Sequence, residues 1–193
     1  MTVIKDGAGT GSVAQVNELN MLSTESMILT DAAVGADLGQ CWVVDGQAVI
    51  TSGLERTVLV ITNSGTTQVE IGLTLTSVQN NPMNSGLTTT IKTYIGSVGV
   101  VTTSGGVTKT PVNMNTQYTT LPNVGIASGS PIVTGTDVEV TQYYFQMQDT
   151  LMIDWQSSIV LNQFGSYRVT ATGAAGTASG LVNHSVRFVN EFH

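Results

Sequence analysis

Several stretches of this chain alternate apolar and polar residues with a period of two. Val182, His184, Val186 and Phe188 interleave with Asn183, Ser185, Arg187 and Val189. Tyr167, Val169 and Ala171 interleave with Arg168, Thr170 and Thr172, and Leu151, Ile153 and Trp155 with Met152, Asp154 and Gln156. Val69, Ile71, Leu73 and Leu75 interleave with Glu70, Gly72, Thr74 and Thr76. A side-chain period of two belongs to a strand, and a single apolar parity means one face on a core. Residues 58–61 (VLVI) are apolar on both parities, which suits a central strand or a subunit interface. Weaker strand candidates are 42–44, 48–50, 87–95, 138–140 and 143–147. The stretch 24–38 holds no helical period for long and reads as extended or briefly helical linker.

Turn signals punctuate these runs: Asp45-Gly46, Asn63-Ser64-Gly65, Asn80-Asn81-Pro82, Ser104-Gly105-Gly106, Gly165-Ser166 and the small-residue stretch 173–180. Short strands at this spacing, rich in Thr and Val, predict an all-β fold, a jelly-roll-like β-sandwich over 39–193. Residues 1–38 precede it as an extended N-terminal arm and linker. Residues 104–136, rich in Thr, Asn, Gly, Ser and Pro, predict long surface loops at one end of the sandwich, with a short hairpin.

The chain has 193 residues, enough for one domain with a sizeable core. Only 10% of them are charged, against roughly 25% in an average globular chain. A surface of Thr, Ser, Asn, Gln and Gly is polar but poor in charge, which suits coverage by partner chains. The net charge is −7, and Lys5, Arg56, Lys92, Lys109, Arg168 and Arg187 are dispersed. Phosphate-backbone binding needs clustered cations, so neither nucleic acid nor an anionic membrane is an expected partner. Cys41 is the single cysteine, so no intrachain disulfide can form, and its apolar neighbours predict a buried thiol. The N-terminus carries no secretory pattern, and no apolar run approaches the roughly 18 residues of a membrane span. Synthesis in the cytoplasm is expected.

The chemistry-bearing residues form weak patterns. Asp6-Gly7-Ala8-Gly9-Thr10-Gly11 resembles a phosphate loop only in its glycines, because no Lys follows and no convincing helix opens after it. A turn or a conformable arm is the simpler reading. One cysteine and two histidines give no metal-ligand spacing, and Asp31, Asp37 and Asp45 are too dispersed for a calcium loop. Asp137 and Glu139 share a strand face and read as exposed, solvated carboxylates with at most a loose hold on an ion. His184 is the only plausible base for a nucleophilic site, but it sits on the apolar parity of its strand and reads as a packed core residue. Glycoside hydrolysis would need two carboxylates among Glu55, Glu70, Asp149 and Asp154 to converge. Trp42, Trp155 and the Tyr143-Tyr144-Phe145 cluster could form a sugar platform, but core or subunit contact is the simpler reading.

Val3-Ile4-Lys5-Asp6-Gly7, Gly9-Thr10-Gly11, Ala14-Gln15-Val16 and Asn20 together resemble the N-terminus of many tailed-phage virion proteins. Trp42-Val43-Val44, Gly46 and Ile50, followed by Val58-Leu59-Val60-Ile61-Thr62-Asn63, resemble the strands and Asn turn that open their β-sandwich. Leu151-Met152-Ile153-Asp154, Ile159-Val160-Leu161 and Gly165-Ser166-Tyr167-Arg168-Val169 resemble the closing strands. The family is that of capsid decoration (cement) proteins and related head-fibre or tail-associated proteins. The resemblance implies a homotrimer on the outer capsid surface, with the major capsid protein as partner and no cofactor or catalytic residue. It also implies a capsid-contact arm made of Val3, Ile4, Lys5, Asp6, Gly7, Gly9, Gly11, Val13 and Val16. The alternatives are a head-fibre, tail-fibre or baseplate protein that binds a host glycan through 104–136, and a glycosidase on a β scaffold.

Overall fold

A computed structural model describes residues 3–5, 13–16, 22–23, 36, 38–81, 88–96, 102–146, 149–174 and 179–190. The chain divides into two compact units, Met1–Thr30 and Asp31–His193. In the first, β1 (Val3–Lys5) pairs antiparallel with β2 (Val13–Val16), and β2 with β3 (Leu22–Ser23). Val3, Ile4, Lys5, Val13 and Val16 therefore lie in strands. Asp6, Gly7, Gly9 and Gly11 lie outside the described residues, as does most of 24–38.

The second unit opens with β4 (Cys41–Ile50), β5 (Glu55–Asn63), β6 (Val69–Asn81) and β7 (Thr88–Gly96). An insertion follows with the short strands β8 (Thr102–Ser104), β9 (Val107–Thr108), β10 (Val112–Asn113), β11 (Val124–Ser128) and β12 (Ile132–Thr134). Four long strands close the unit: β13 (Asp137–Gln146), β14 (Asp149–Leu161), β15 (Ser166–Gly173) and β16 (Ser179–Asn190). β4 pairs with β16, β5 with β15, β6 with β14 and β7 with β13, all antiparallel. That nesting is one long hairpin of strand pairs wound over itself, which is the jelly roll. The two sheets run β10-β4-β16-β6-β14 and β13-β7-β15-β5-β11-β9, and β12 pairs with β8 separately.

The alternating runs supply the core between the sheets. Val182, His184, Val186 and Phe188 of β16 face Tyr167, Val169 and Ala171 of β15, all buried. Trp42 stacks on Phe188 with ring centroids 6.0 Å apart. Residues 58–61 are buried on both parities, and β5 is a central strand, with β15 on one edge and β11 on the other. Asn63, just past them, holds the turn. Its Nδ2 donates to the carbonyls of Thr67 (2.7 Å) and Leu161 (2.9 Å), and its Oδ1 accepts from the Gly65 N–H (2.9 Å).

Three expectations need correction. Asp45-Gly46 is not a turn but the middle of β4. A Cβ on Gly46 would lie 2.7 Å from Leu59 Cβ and 2.8 Å from the Val58 carbonyl oxygen, so the glycine is there to let β5 approach. In β6 the apolar parity reverses: Val69 and Ile71 are buried, but beyond Gly72 the core face is Thr74, Thr76 and Val78, and Leu75 is exposed. The cause is a bulge. Between Val186 and Phe188 of β16, β6 spends one residue more on the way from Thr74 to Ile71, and one extra residue swaps the faces. The 104–136 segment is not a set of free end loops, because much of its backbone is bound along β4 and β5.

Candidate functional site

The insertion makes the two long sides of the sandwich unequal. On the β4/β5 side, β10 extends one sheet and β11 the other. The turn at Gly129 and Ser130 crosses between them: the Gly129 N–H donates to the Gln47 carbonyl of β4 and the Ser130 N–H to the Thr57 carbonyl of β5. Met114 N–H donates to the Cys41 carbonyl, Asn113 Nδ2 to the Gly39 carbonyl and Trp42 Nε1 to the Thr120 carbonyl. This side is sealed.

The opposite side is open. Among the described residues, β13 and β14 end their sheets, each paired on one edge. Between them lies a groove of about 490 Å³ lined by Ile95, Gly96, Thr136, Val138, Val140, Val160, Leu161, Asn162 and Gly165. None of these side chains ionises. Val138 pairs across with Ile95, which packs on the core, so Val138 has the inward parity of β13. Yet Val138 is 67% exposed and Val140 44%. A valine with inward parity left in water, beside a second exposed valine at the bulge, marks this groove. A bulge at Val140 ends the effect: past it Tyr143 and Phe145 turn inward and pack on the core. The sequence carried the signal as a parity change, with even positions apolar at 138 and 140 and odd ones inward from 143 onward.

The outer face of the β13 sheet is held by charge. Arg168 makes a two-pronged ion pair with Asp137, at 2.5 and 2.8 Å, and its guanidinium lies 4.1 Å from the centre of the Tyr94 ring. Lys92 pairs with Glu139 at 2.8 Å, and the Tyr94 hydroxyl donates to Glu55 at 3.2 Å. Asp137 and Glu139 are therefore ion-paired rather than merely solvated: Glu139 holds the neighbouring β7, and Asp137 reaches across β7 to β15.

The residues weighed for catalysis serve the fold. His184 is buried, with Nδ1 2.7 Å from Thr76 Oγ1 and Nε2 3.0 Å from the Tyr167 hydroxyl, so both ring nitrogens are engaged. Cys41 is buried with its Sγ 3.3 Å from Met114 Sδ, and burial raises the thiol pKa, away from reactivity. Asp149 accepts from the Thr150 N–H and Asp154 from the Gln156 N–H, as local turn acceptors. Glu55 lies in one sheet and Glu70 in the other. Trp42 and Phe145 are core, Trp155 packs against it with Nε1 donating to Thr74 Oγ1, and Tyr144 stands exposed. Among the described residues no three His, Cys, Asp or Glu side chains form a metal-ligand group, and no helix is long and apolar enough to cross a membrane.

No protein-family model matches the chain, and no curated protein sequence matches it. Solved structures that resemble it come from infectious bursal disease virus. A chain of the T13 IBDV viral particle is 12% identical over 88% of this chain and 38% of its own length, with a TM-score of 0.29. The corresponding values for the virus-derived T=1 particle are 13%, 88%, 42% and 0.22, and for the VP2 subviral particle 13%, 79%, 41% and 0.20. The chain thus spans about two fifths of the length of the solved chains it resembles. At these TM-scores the likeness is slight, and the strand order described above defines the fold.

Proposed function

We propose that this chain is a structural protein of a tailed-phage virion: a capsid decoration protein that binds the outer surface of the major capsid lattice as a homotrimer. The observation that carries this reading is the groove between β13 and β14, where Val138, inward by parity, and the bulge residue Val140 stand 67% and 44% exposed around a lining without charge. A partner surface that covers them removes apolar area from water without stranding an ion. Few charges elsewhere suit a chain whose surface is shared with neighbours. A trimer offers the groove in three symmetric copies, and many weak contacts on a lattice add up to firm attachment. The arm residues Val3, Ile4, Lys5, Asp6, Gly7, Gly9, Gly11, Val13 and Val16 would contact the capsid, with strand addition left to β1 or β3, since β2 is paired on both edges.

A glycan-binding fibre would present 104–136 to its receptor. Much of that segment is bound to β4 and β5, which favours the decoration reading. The deciding experiment is the copy number of this chain in purified virions, by quantitative mass spectrometry against the major capsid protein. Many copies in a simple ratio are expected. A handful of copies, or none, would overturn the proposal.

A further inference from the structure

We propose that His184 is an acid-sensitive latch between the two sheets, neutral while the sandwich is closed and charged only once it opens. The imidazole belongs to β16, as Thr76 belongs to β6 of the same sheet, whereas Tyr167 lies on β15 of the other. Its two ring nitrogens reach Thr76 Oγ1 at 2.7 Å and the Tyr167 hydroxyl at 3.0 Å, and the ring stacks on Tyr167 with centroids 6.0 Å apart. A neutral imidazole has one N–H donor and one acceptor nitrogen, so two hydroxyls satisfy it completely. One donates to the bare nitrogen and the other accepts from the N–H.

An imidazolium at the same place would be a buried charge with no counter-ion. Its cross-strand neighbour on β4 is Gly46 and on β6 is Thr76, and Tyr167 faces it from the opposite sheet. Of these only Tyr167 titrates, and burial raises its pKa, so it stays neutral. Val182 and Val186 flank the ring along β16 and are fully buried. With nothing to set against the loss of water, burial pushes the His184 pKa down to about 3.

The sign of the effect follows. The unfolded chain takes up a proton near the ordinary histidine value of about 6.5, and the folded one only near 3. Stability from the neutral ring is complete above about pH 6.5 and is lost progressively as the pH falls toward 3. Carboxylates titrate mostly near 4, so the window from pH 8 to 5 isolates the histidine. Over that window the unfolding constant should rise about thirty-fold, the ratio expected for one proton with this shift.

The test is urea unfolding of the full chain followed by tryptophan fluorescence at pH 8, 7, 6 and 5, for the parent, His184→Gln and His193→Gln. The parent and His193→Gln should show the thirty-fold rise, and His184→Gln should be flat. A parent that is flat, or a His184→Gln variant that keeps the rise, overturns the latch. If His184→Gln does not fold, the imidazole nitrogen resonances of the folded parent decide. A ring that stays neutral down to pH 4.5 supports the latch, and one that titrates near 6.5 in the folded protein overturns it.

Discussion

The tight packing of Gly46 against the opposite sheet gives the sharpest mutational test. Gly46 sits mid-strand in β4, with neither a turn nor a positive φ to require glycine. What requires it is β5. An added methyl would lie 2.7 Å from Leu59 Cβ, 2.8 Å from the Val58 carbonyl oxygen and 2.9 Å from Leu59 Cδ1. Comfortable carbon contacts begin at roughly 3.5 Å. Val58 and Leu59 cannot swing aside, because β5 is hydrogen-bonded to β15 and β11 on its two edges. The sheets themselves would have to part by about 0.8 Å to bring the 2.7 Å contact to a comfortable distance. Overpacking of this kind costs about 1–3 kcal/mol, and a backbone neighbour puts Gly46→Ala at the upper end. Loss of glycine freedom in the unfolded chain returns about 0.4–1 kcal/mol. A net loss of about 2 kcal/mol should lower the urea midpoint by roughly 1 M at unchanged slope. Gly125→Ala is the control: it too lies in a strand, and its added methyl would meet only Ser64 Oγ, at 3.9 Å. If Gly46→Ala proves as stable as Gly125→Ala, β4 and β5 do not meet as described and the stacking of the sheets is wrong.

Other perturbations test other joints. Asn63→Ala removes three hydrogen bonds and strands the carbonyls of Thr67 and Leu161, so chemical denaturation should show a loss of about 2–4 kcal/mol. Asp137→Asn breaks a two-pronged ion pair that is only 11–15% exposed, and thermal unfolding should register about 2 kcal/mol, little altered by 0.5 M salt. Phe164 holds φ at +64° with its ring half in water, so Phe164→Gly should stay within about 1 kcal/mol of the parent, whereas Phe145→Ala in the core should cost about 3–5. Val138→Asp should keep the parent's fold and thermal midpoint but abolish sedimentation with capsids; retained binding would remove the groove from the proposed contact.

Strand parity was legible where pairing is regular and failed where it is not. β15 and β16 bury the alternation their sequences display, because their core-facing side chains keep step with the partner strands over most of their length. β6 displays an equally clean alternation over 69–75, yet half of it faces water, since the decision lies in an extra residue counted against β16. A bulge is a relation between two strands, and neither sequence alone contains it. The Asp45-Gly46 pair misleads for a related reason. Asp-Gly signals a turn when only local backbone freedom is considered, but here the absent side chain makes room for a strand that follows it in the other sheet. The groove combines both effects. Its valines look like an ordinary half-buried strand, and what leaves them bare is that β13 and β14 end their sheets while the insertion closes the other side. What sets the two sides apart is how they are lined: the groove between β13 and β14 carries its exposed valines on the core side of the sheet, whereas the insertion's exposed apolar residues, such as Val112 and Ile132, lie on a segment bonded along β4 and β5. That is why the proposed contact is placed on the groove and not on the ion-paired outer face, where burial would take the partly exposed Lys92–Glu139 pair out of water.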